Sequence, residues 1–192
     1  MDIFQIDLWL APALNIHRSI RCGRNFEYFS EDPYLTGAMA VAQLQGLSTT
    51  KVTGTIKHFA GNNREFNRHY VNSTVSQRAL REIYLKAFEI IVKDSNPWSI
   101  MTSYNVINGH RASENYDLLT GILKGEWGYE GMVTTDWWNH AEQYIEIKAG
   151  NDVKMGCGYP ERLKKDVEEG RITREELEVS VKRVLEMILK LN

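Results

Sequence analysis

Short apolar runs alternate along this chain with longer segments whose apolar positions recur at helical spacing. The first run is LWLAPAL at 8–14. GTIKHF at 54–59, WSIMTS at 98–103 and GMVTTD at 131–136 follow, and a shorter fifth, DVKM, stands at 152–155. Nearly continuous apolar runs are the pattern of strands buried on both faces. Between them, Leu35, Ala38, Val41 and Ala42 mark a helix over 34–47. Leu80, Ile83, Tyr84, Ala87 and Ile91 mark one face of a second helix, with Ser76 as its expected N-cap and Pro97 as its stop. Residues 116–124 and 140–149 read as shorter helices. The last helix opens on a capping box, Thr173-Arg174-Glu175-Glu176, and lines up Leu177, Val181, Val184, Leu185 and Ile188. Polar loops at 15–33, 61–75 and 104–115 follow the first three strands.

Five strand–helix units in succession predict an α/β protein with a parallel sheet. An open doubly wound sheet and a (β/α)8 barrel both satisfy that order. The long polar loops leave from strand C-termini, where barrel enzymes build their sites. No G-x-G-x-x-G follows the first strand, as a dinucleotide-binding sheet requires. The barrel is therefore expected. A complete one takes ~250 residues, so the 192 residues here predict a partial TIM-type barrel of about five units.

Composition narrows the classes of partner. The chain is 43% hydrophobic and 25% charged, with a formal net charge of -2, which suits a globular domain and disfavours nucleic acid or an anionic membrane. No apolar run approaches the ~20 residues of a membrane span. Met1-Asp2-Ile3-Phe4 has no basic segment leading into an apolar one, so no signal peptide is expected and a cytoplasmic location is the default. Cys22 and Cys157 are expected as reduced thiols. The five histidines lack H-E-x-x-H or H-x-x-x-H spacing, and no G-x-S-x-G or P-loop is present, so neither a metal nor an organic cofactor is expected.

Polar residues collect where the predicted strands end. Lys57 and His58 close the second strand, Tyr104 and Asn105 follow the third, and Asp136, Trp137 and Trp138 close the fourth. Arg24 and Glu27 lie in the first loop and Arg68 in the second. On one barrel rim these residues would combine an acid, several cations and aromatic faces, a composition suited to a sugar. Singly they read otherwise: Asp136 as a turn residue or N-cap, Lys57-His58 as a solvated rim, Trp137-Trp138 as core.

The segments CGRNFEYFSEDP from Cys22, KHFAGNN from Lys57, MTSYN from Met101 and VTTDW from Val133 resemble glycoside hydrolase family 3, in order and spacing, from about Leu8 to the last helix. The similarity is greatest to the β-glucosidase branch; the His-Gly-Asp loop of the N-acetylhexosaminidase branch is replaced here by Asn62-Asn63-Arg64-Glu65. The resemblance implies that Asp136 is the nucleophile of a retaining glycosidase. It implies that Arg24, Lys57, His58 and Arg68 hold sugar hydroxyls, that Tyr104 stands beside the nucleophile and that Trp137 shapes the pocket. Nearby cations are expected to keep Asp136 charged.

Three departures from the family pattern bear on these expectations. Its early strands, with an upstream sugar-clamping Asp, have no counterpart here. Nor has the α/β sandwich domain that carries the acid/base, so residues 1–192 are expected to be one barrel-type domain. Trp138 stands where the branch has a small residue. The expected substrate is a β-glucoside or oligosaccharide. A β-xylosidase of the same family and a non-catalytic sugar-binding remnant remain alternatives. An open five-strand sheet leaves edges and inner faces bare, so the isolated chain is expected to be marginally stable or to associate.

Overall fold

The computed structural model describes residues 5–191; Met1-Asp2-Ile3-Phe4, on which the signal-peptide expectation rests, lies outside the described residues. In chain order the elements are β1 (Leu8–Trp9), α1 (Pro33–Leu47), β2 (Thr53–Phe59) and β3 (Asn72–Ser73). Then come α2 (Gln77–Ala79), a π-helical segment (Leu80–Tyr84), α3 (Lys86–Ser95), β4 (Ser99–Thr102), β5 (Val106–Ile107) and β6 (His110–Arg111). A π-type helix (Asp117–Glu126), β7 (Met132–Thr134), α4 (Gln143–Ala149), α5 (Pro160–Glu168) and α6 (Arg174–Leu191) complete the fold.

The main sheet is parallel throughout, in the order β1-β2-β4-β7. Ile56 lies opposite Ile100, and Ile100 opposite Val133, and this row meets Phe59, Phe88, Leu119 and Leu123 in one core beneath the helices. Asp32 caps α1 by accepting from the Tyr34 and Leu35 amides, with Pro33 at the first helical position. Gly37 lets α1 and α3 approach closely, since a Cβ there would stand 2.9 Å from the Ile90 side chain. The predicted caps form: Ser76 accepts from Ala79 N, and Thr173 and Glu176 exchange hydrogen bonds.

Several boundaries differ from the expectation, each for a physical reason. The run at 8–14 is not one strand. It pairs at Leu8 and Trp9, passes Pro12, which has no N–H to donate, and touches β2 again at a single bridge, Ala13 to Lys57. The fifth strand contracts to one bridge, Val153 to Thr134. The second and third polar loops contain a small sheet, β3-β5-β6, that two-residue strands did not announce. α5 was not anticipated because only Leu163 and Val167 interrupt its charged sequence. Among the described residues the main sheet does not close on itself, so the fold is a TIM-type barrel in part. No helix among them is long and apolar enough to cross a membrane.

Candidate active site

The C-terminal ends of β2, β4 and β7 open into one cavity of about 600 Å³. Arg24, Lys57, His58, Arg68, Tyr104, Asp136 and Trp137, the residues singled out in the sequence, all line it. Trp138, grouped with them at the strand ends, lines it too, whereas Glu27 and Asn105 do not; Leu10, His69, Met101 and His140 complete the wall and were not anticipated. Convergent polar groups on an aromatic wall are the general form of a small-molecule site.

β2 delivers two consecutive side chains to this cavity, which a regular strand does not do because successive residues face opposite ways. The pairing of β2 with β4 shifts between Ile56 and Phe59. Ile56 and Phe59 consequently both enter the core, although three residues apart, while Lys57 and His58 both reach the cavity. Beyond the shift, Ser103 Oγ and Asn105 Nδ2 donate to Ala60 O at 2.8 and 3.2 Å, fixing the end of β2 to the segment after β4. Arg111 Nη1 joins the same loops by donating to His69 O and Tyr104 O, each at 3.0 Å.

His58 is held by a residue that sequence reasoning passed over. Asn15 Oδ1 accepts from His58 N at 2.9 Å and Asn15 Nδ2 donates to His58 O at 2.9 Å, so backbone groups set the amide's orientation. The same Oδ1 lies 3.1 Å from His58 Nδ1, which must therefore carry a proton. Burial, with Arg24, Lys57 and Arg68 nearby, holds the imidazole pKa well below its usual range. Neutral His58 thus presents a bare Nε2, 3.7 Å from Asp136 Oδ2. This pair is neither a salt bridge nor a hydrogen bond; two acceptors face each other across a gap that hydrogen-bond donors can fill.

Asp136 is 7% exposed. Its Oδ1 accepts from Trp137 N at 2.8 Å, whereas its buried Oδ2 has no hydrogen-bond partner among the described residues. Tyr104 OH donates to Trp137 O at 2.7 Å, and burial beside Asp136 raises the phenol pKa and keeps it protonated. Arg24 and Arg68 favour the charged form of Asp136, the direction expected of nearby cations. Burial raises its pKa more than the Trp137 amide, Tyr104, Arg24 and Arg68 together lower it.

The cations have carboxylates behind them. Glu27 pairs with Arg24 and lies 3.4 Å from Lys57 Nζ, and Glu65 pairs with Arg68 at 2.8 Å. Arg68 also lies over the Tyr104 ring, 4.6 Å from its centroid. Neither Lys57-His58 as a solvated rim nor Trp137-Trp138 as core survives: His58 is 1% exposed, while the tryptophans are 42% and 63% exposed. Trp138 adopts φ 50°, a left-handed conformation, with its indole donating to Gly156 O at 2.9 Å. Cys22 and Cys157 are unpaired and outside the cavity lining.

A parallel sheet whose strand ends converge on a buried carboxylate, paired cations and exposed tryptophans is the arrangement of a TIM-type barrel domain with its site at the strand C-termini. Residues 1–187 match the family model described as "Glycosyl hydrolase family 3 N terminal domain". The chain belongs to glycosyl hydrolase family 3. It is 55% identical over 170 residues to "Beta-glucosidase A" of Butyrivibrio fibrisolvens, a match covering 88% of this chain and 20% of that protein. It is 42% identical over 182 residues to an "Exo-alpha-(1->6)-L-arabinopyranosidase" of Bifidobacterium breve, covering 94% of this chain and 24% of that one. Beta-glucosidase 3B from Thermotoga neapolitana, solved in complex with α-D-glucose, superposes with a TM-score of 0.94 at 44% identity, covering 96% of this chain and 27% of that chain. The chain thus spans about a fifth to a quarter of the length of these relatives.

Proposed function

We propose that this chain is the nucleophile-bearing domain of a retaining β-glucosidase, with Asp136 as the nucleophile. The observation that carries the reading is Asp136 Oδ2, a buried carboxylate oxygen with no hydrogen-bond partner among the described residues, placed among donors in the cavity. The Trp137 amide on Oδ1 orients the carboxylate, and Oδ2 attacks the anomeric carbon as the bond to the leaving group breaks. Water then cleaves the glycosyl ester with overall retention. Arg24, Lys57 and Arg68 donate to sugar hydroxyls, and neutral His58 accepts from one through Nε2. Trp137 packs on the sugar's apolar face. Contacts that tighten as the ring distorts raise the rate of attack.

A retaining mechanism also needs an acid ~5–5.5 Å from the nucleophile. Among the described residues Asp136 is the one carboxylate lining the cavity. Of the other candidate loop carboxylates, Glu65 is held by Arg68 and Asn62, Glu114 accepts from Glu142 N, and Glu142 pairs with Arg162. We therefore assign the acid/base to a further domain outside these 192 residues. The relatives named β-glucosidase favour glucose as the glycone, and the arabinopyranosidase shows that a related domain serves a pentopyranoside.

The test is covalent trapping with 2,4-dinitrophenyl 2-deoxy-2-fluoro-β-glucoside, whose leaving group needs no proton, followed by peptide mapping. An adduct on Asp136 is expected, absent from Asp136→Asn. An adduct elsewhere overturns the assignment. Glucose binding without any adduct, in a folded chain, supports instead a sugar-binding domain with no turnover of its own, which the single cavity carboxylate also favours.

A further inference from the structure

Beneath the cavity's tryptophan side lies a buried charged network that the proposed reaction does not use. Lys154 and Glu146 pair at 3.0 Å with side chains each 1% exposed. Lys154 Nζ also donates to Ala141 O at 2.9 Å and to Asn139 Oδ1. All three ammonium hydrogens are thereby used. Asn139 Nδ2 donates to Glu146 Oε1 at 2.6 Å and to Ser113 Oγ at 3.1 Å.

The acceptors are informative. Asn139 and Ala141 belong to the loop 137–142, which leaves directly from Asp136 and carries Trp137, Trp138 and His140 into the cavity wall. Lys154 itself is anchored on the sheet, next to the bridge between Val153 and Thr134. The adjoining Met155 grips the same loop, since Trp138 N donates to its carbonyl at 3.3 Å, and is itself tied to the end of β7 by donating from N to Thr135 Oγ1 at 3.0 Å. From the other side, Glu142 N donates to Glu114 Oε1 at 2.7 Å. A buried ion pair is a poor source of stability, because apolar residues of the same volume serve as well or better; what it supplies is directional contact. Here two of the three Lys154 donations go to one loop, and the third goes to the carboxylate that also holds Asn139.

We propose that Lys154, backed by Glu146, is a positioning residue that holds the loop 137–142 and so fixes the aromatic wall met by the part of the substrate beyond the first sugar. The identity of that substrate rests on the glycosidase reading; the hold on the loop does not. Lys154 touches no substrate and acts through Asn139 and Ala141.

The experiment uses the full chain and the double variant Lys154→Met/Glu146→Gln, which removes both charges together and leaves no carboxylate stranded. Two readouts are taken. The first is amide exchange followed by mass spectrometry. Peptides covering 137–142 are expected to exchange at least tenfold faster than in the parent, while those of α1 and β2 stay unchanged. Uniform acceleration, or none in the loop, overturns the proposal. The second compares covalent trapping by 2,4-dinitrophenyl and 2,4-dinitro-1-naphthyl 2-deoxy-2-fluoro-β-glucosides, whose leaving groups differ in size and need no proton. The ratio of their second-order trapping rates is expected to shift at least fivefold, and it does not depend on the fraction of folded protein. A ratio within twofold of the parent's overturns the link between loop and wall. If the double variant does not fold, Asn139→Ala keeps the Lys154–Glu146 pair, cuts its hold on residue 139 and gives the same readouts. Localised exchange in a chain that neither reagent labels supports the loop's dependence on Lys154 and counts against the glycosidase reading alone.

Discussion

Replacing Asn15 by Leu removes the three contacts that hold His58 and fills their place with an aliphatic group of similar size. The His58 amide N–H and C=O, bonded to Asn15 at 2.9 Å, and the Nδ1–H, at 3.1 Å, all lose their partner in a buried setting. A buried polar group left unpaired costs about 1–3 kcal/mol. Three such groups with partial relaxation give ~3–5 kcal/mol, a large part of the ~5–15 kcal/mol that stabilises a typical domain. The kinetic effect follows from the tautomer. Freed from Asn15, His58 can carry its proton on Nε2 and donate to Asp136 Oδ2, 3.7 Å away, closing on the oxygen proposed to attack. Urea unfolding followed by circular dichroism reads the first effect; the rate of trapping by the fluoroglucoside, per folded molecule, reads the second and is expected to fall at least tenfold. Asn15→Asp separates the two. It keeps the acceptor for N–H and Nδ1–H, loses the donor to the carbonyl, and its negative charge favours the imidazolium. Trapping by that variant should therefore fail at a higher pH than in the parent as the solution is acidified. An Asn15→Leu protein within about 1 kcal/mol of the parent, with unchanged trapping, would refute this account of His58.

Other outcomes follow from the same coordinates. Burial raises the Asp136 pKa above its unfolded value, so folding is penalised once the group ionises and not in acid. Asp136→Asn should therefore stabilise the chain at neutral pH, and the gain should vanish as pH falls below the unfolded carboxylate pKa, as thermal melts across pH will show. Arg24 and Arg68 lower that pKa, so Arg68→Met should move the acid limb of the trapping rate to higher pH. Trp138 holds φ 50°, so Trp138→Gly should be more stable than Trp138→Ala by about 1 kcal/mol, measured by urea melts. Asp152 is buried between Arg183, at 3.0 Å, and the Val133 amide, at 2.8 Å. Asp152→Ala strands the arginine and should cost about 3–5 kcal/mol. Leu35, Met39, Leu185 and Leu189 are exposed, and sedimentation of the isolated chain should reveal species larger than a monomer.

The strand–helix alternation and the strand ends that carry the site were legible because apolar runs and polar loops differ so sharply in this sequence. Lys57, His58 and Asp136 stand out as polar residues at the ends of such runs. What stayed hidden depends on contacts between distant segments. Asn15 is one more polar residue in a loop until folding brings it to His58, 43 positions away. The pairing shift that turns both Lys57 and His58 inward leaves no mark in the composition of β2. Glu27 stands out only as a neighbour of Arg24, and Glu65 reads as an ordinary loop acid, although both sit behind the cavity's cations. The raised Asp136 pKa could not be foreseen from neighbouring charges, since the larger cause is burial.

The pairing of cations with carboxylates has a consequence for what arrives at the cavity. Arg24, Lys57 and Arg68 are matched by Glu27, Glu65 and ionised Asp136, and His58 adds no charge. The site is dense in donors yet projects almost no net field, so it cannot steer an ion in from solution. Capture of an uncharged sugar should proceed at the same rate in dilute buffer and in concentrated salt. Uronic acids and sugar phosphates would gain no long-range attraction to offset the loss of their hydration. Neutrality at the cavity is thus a filter on ligand charge, acting before any hydroxyl is read.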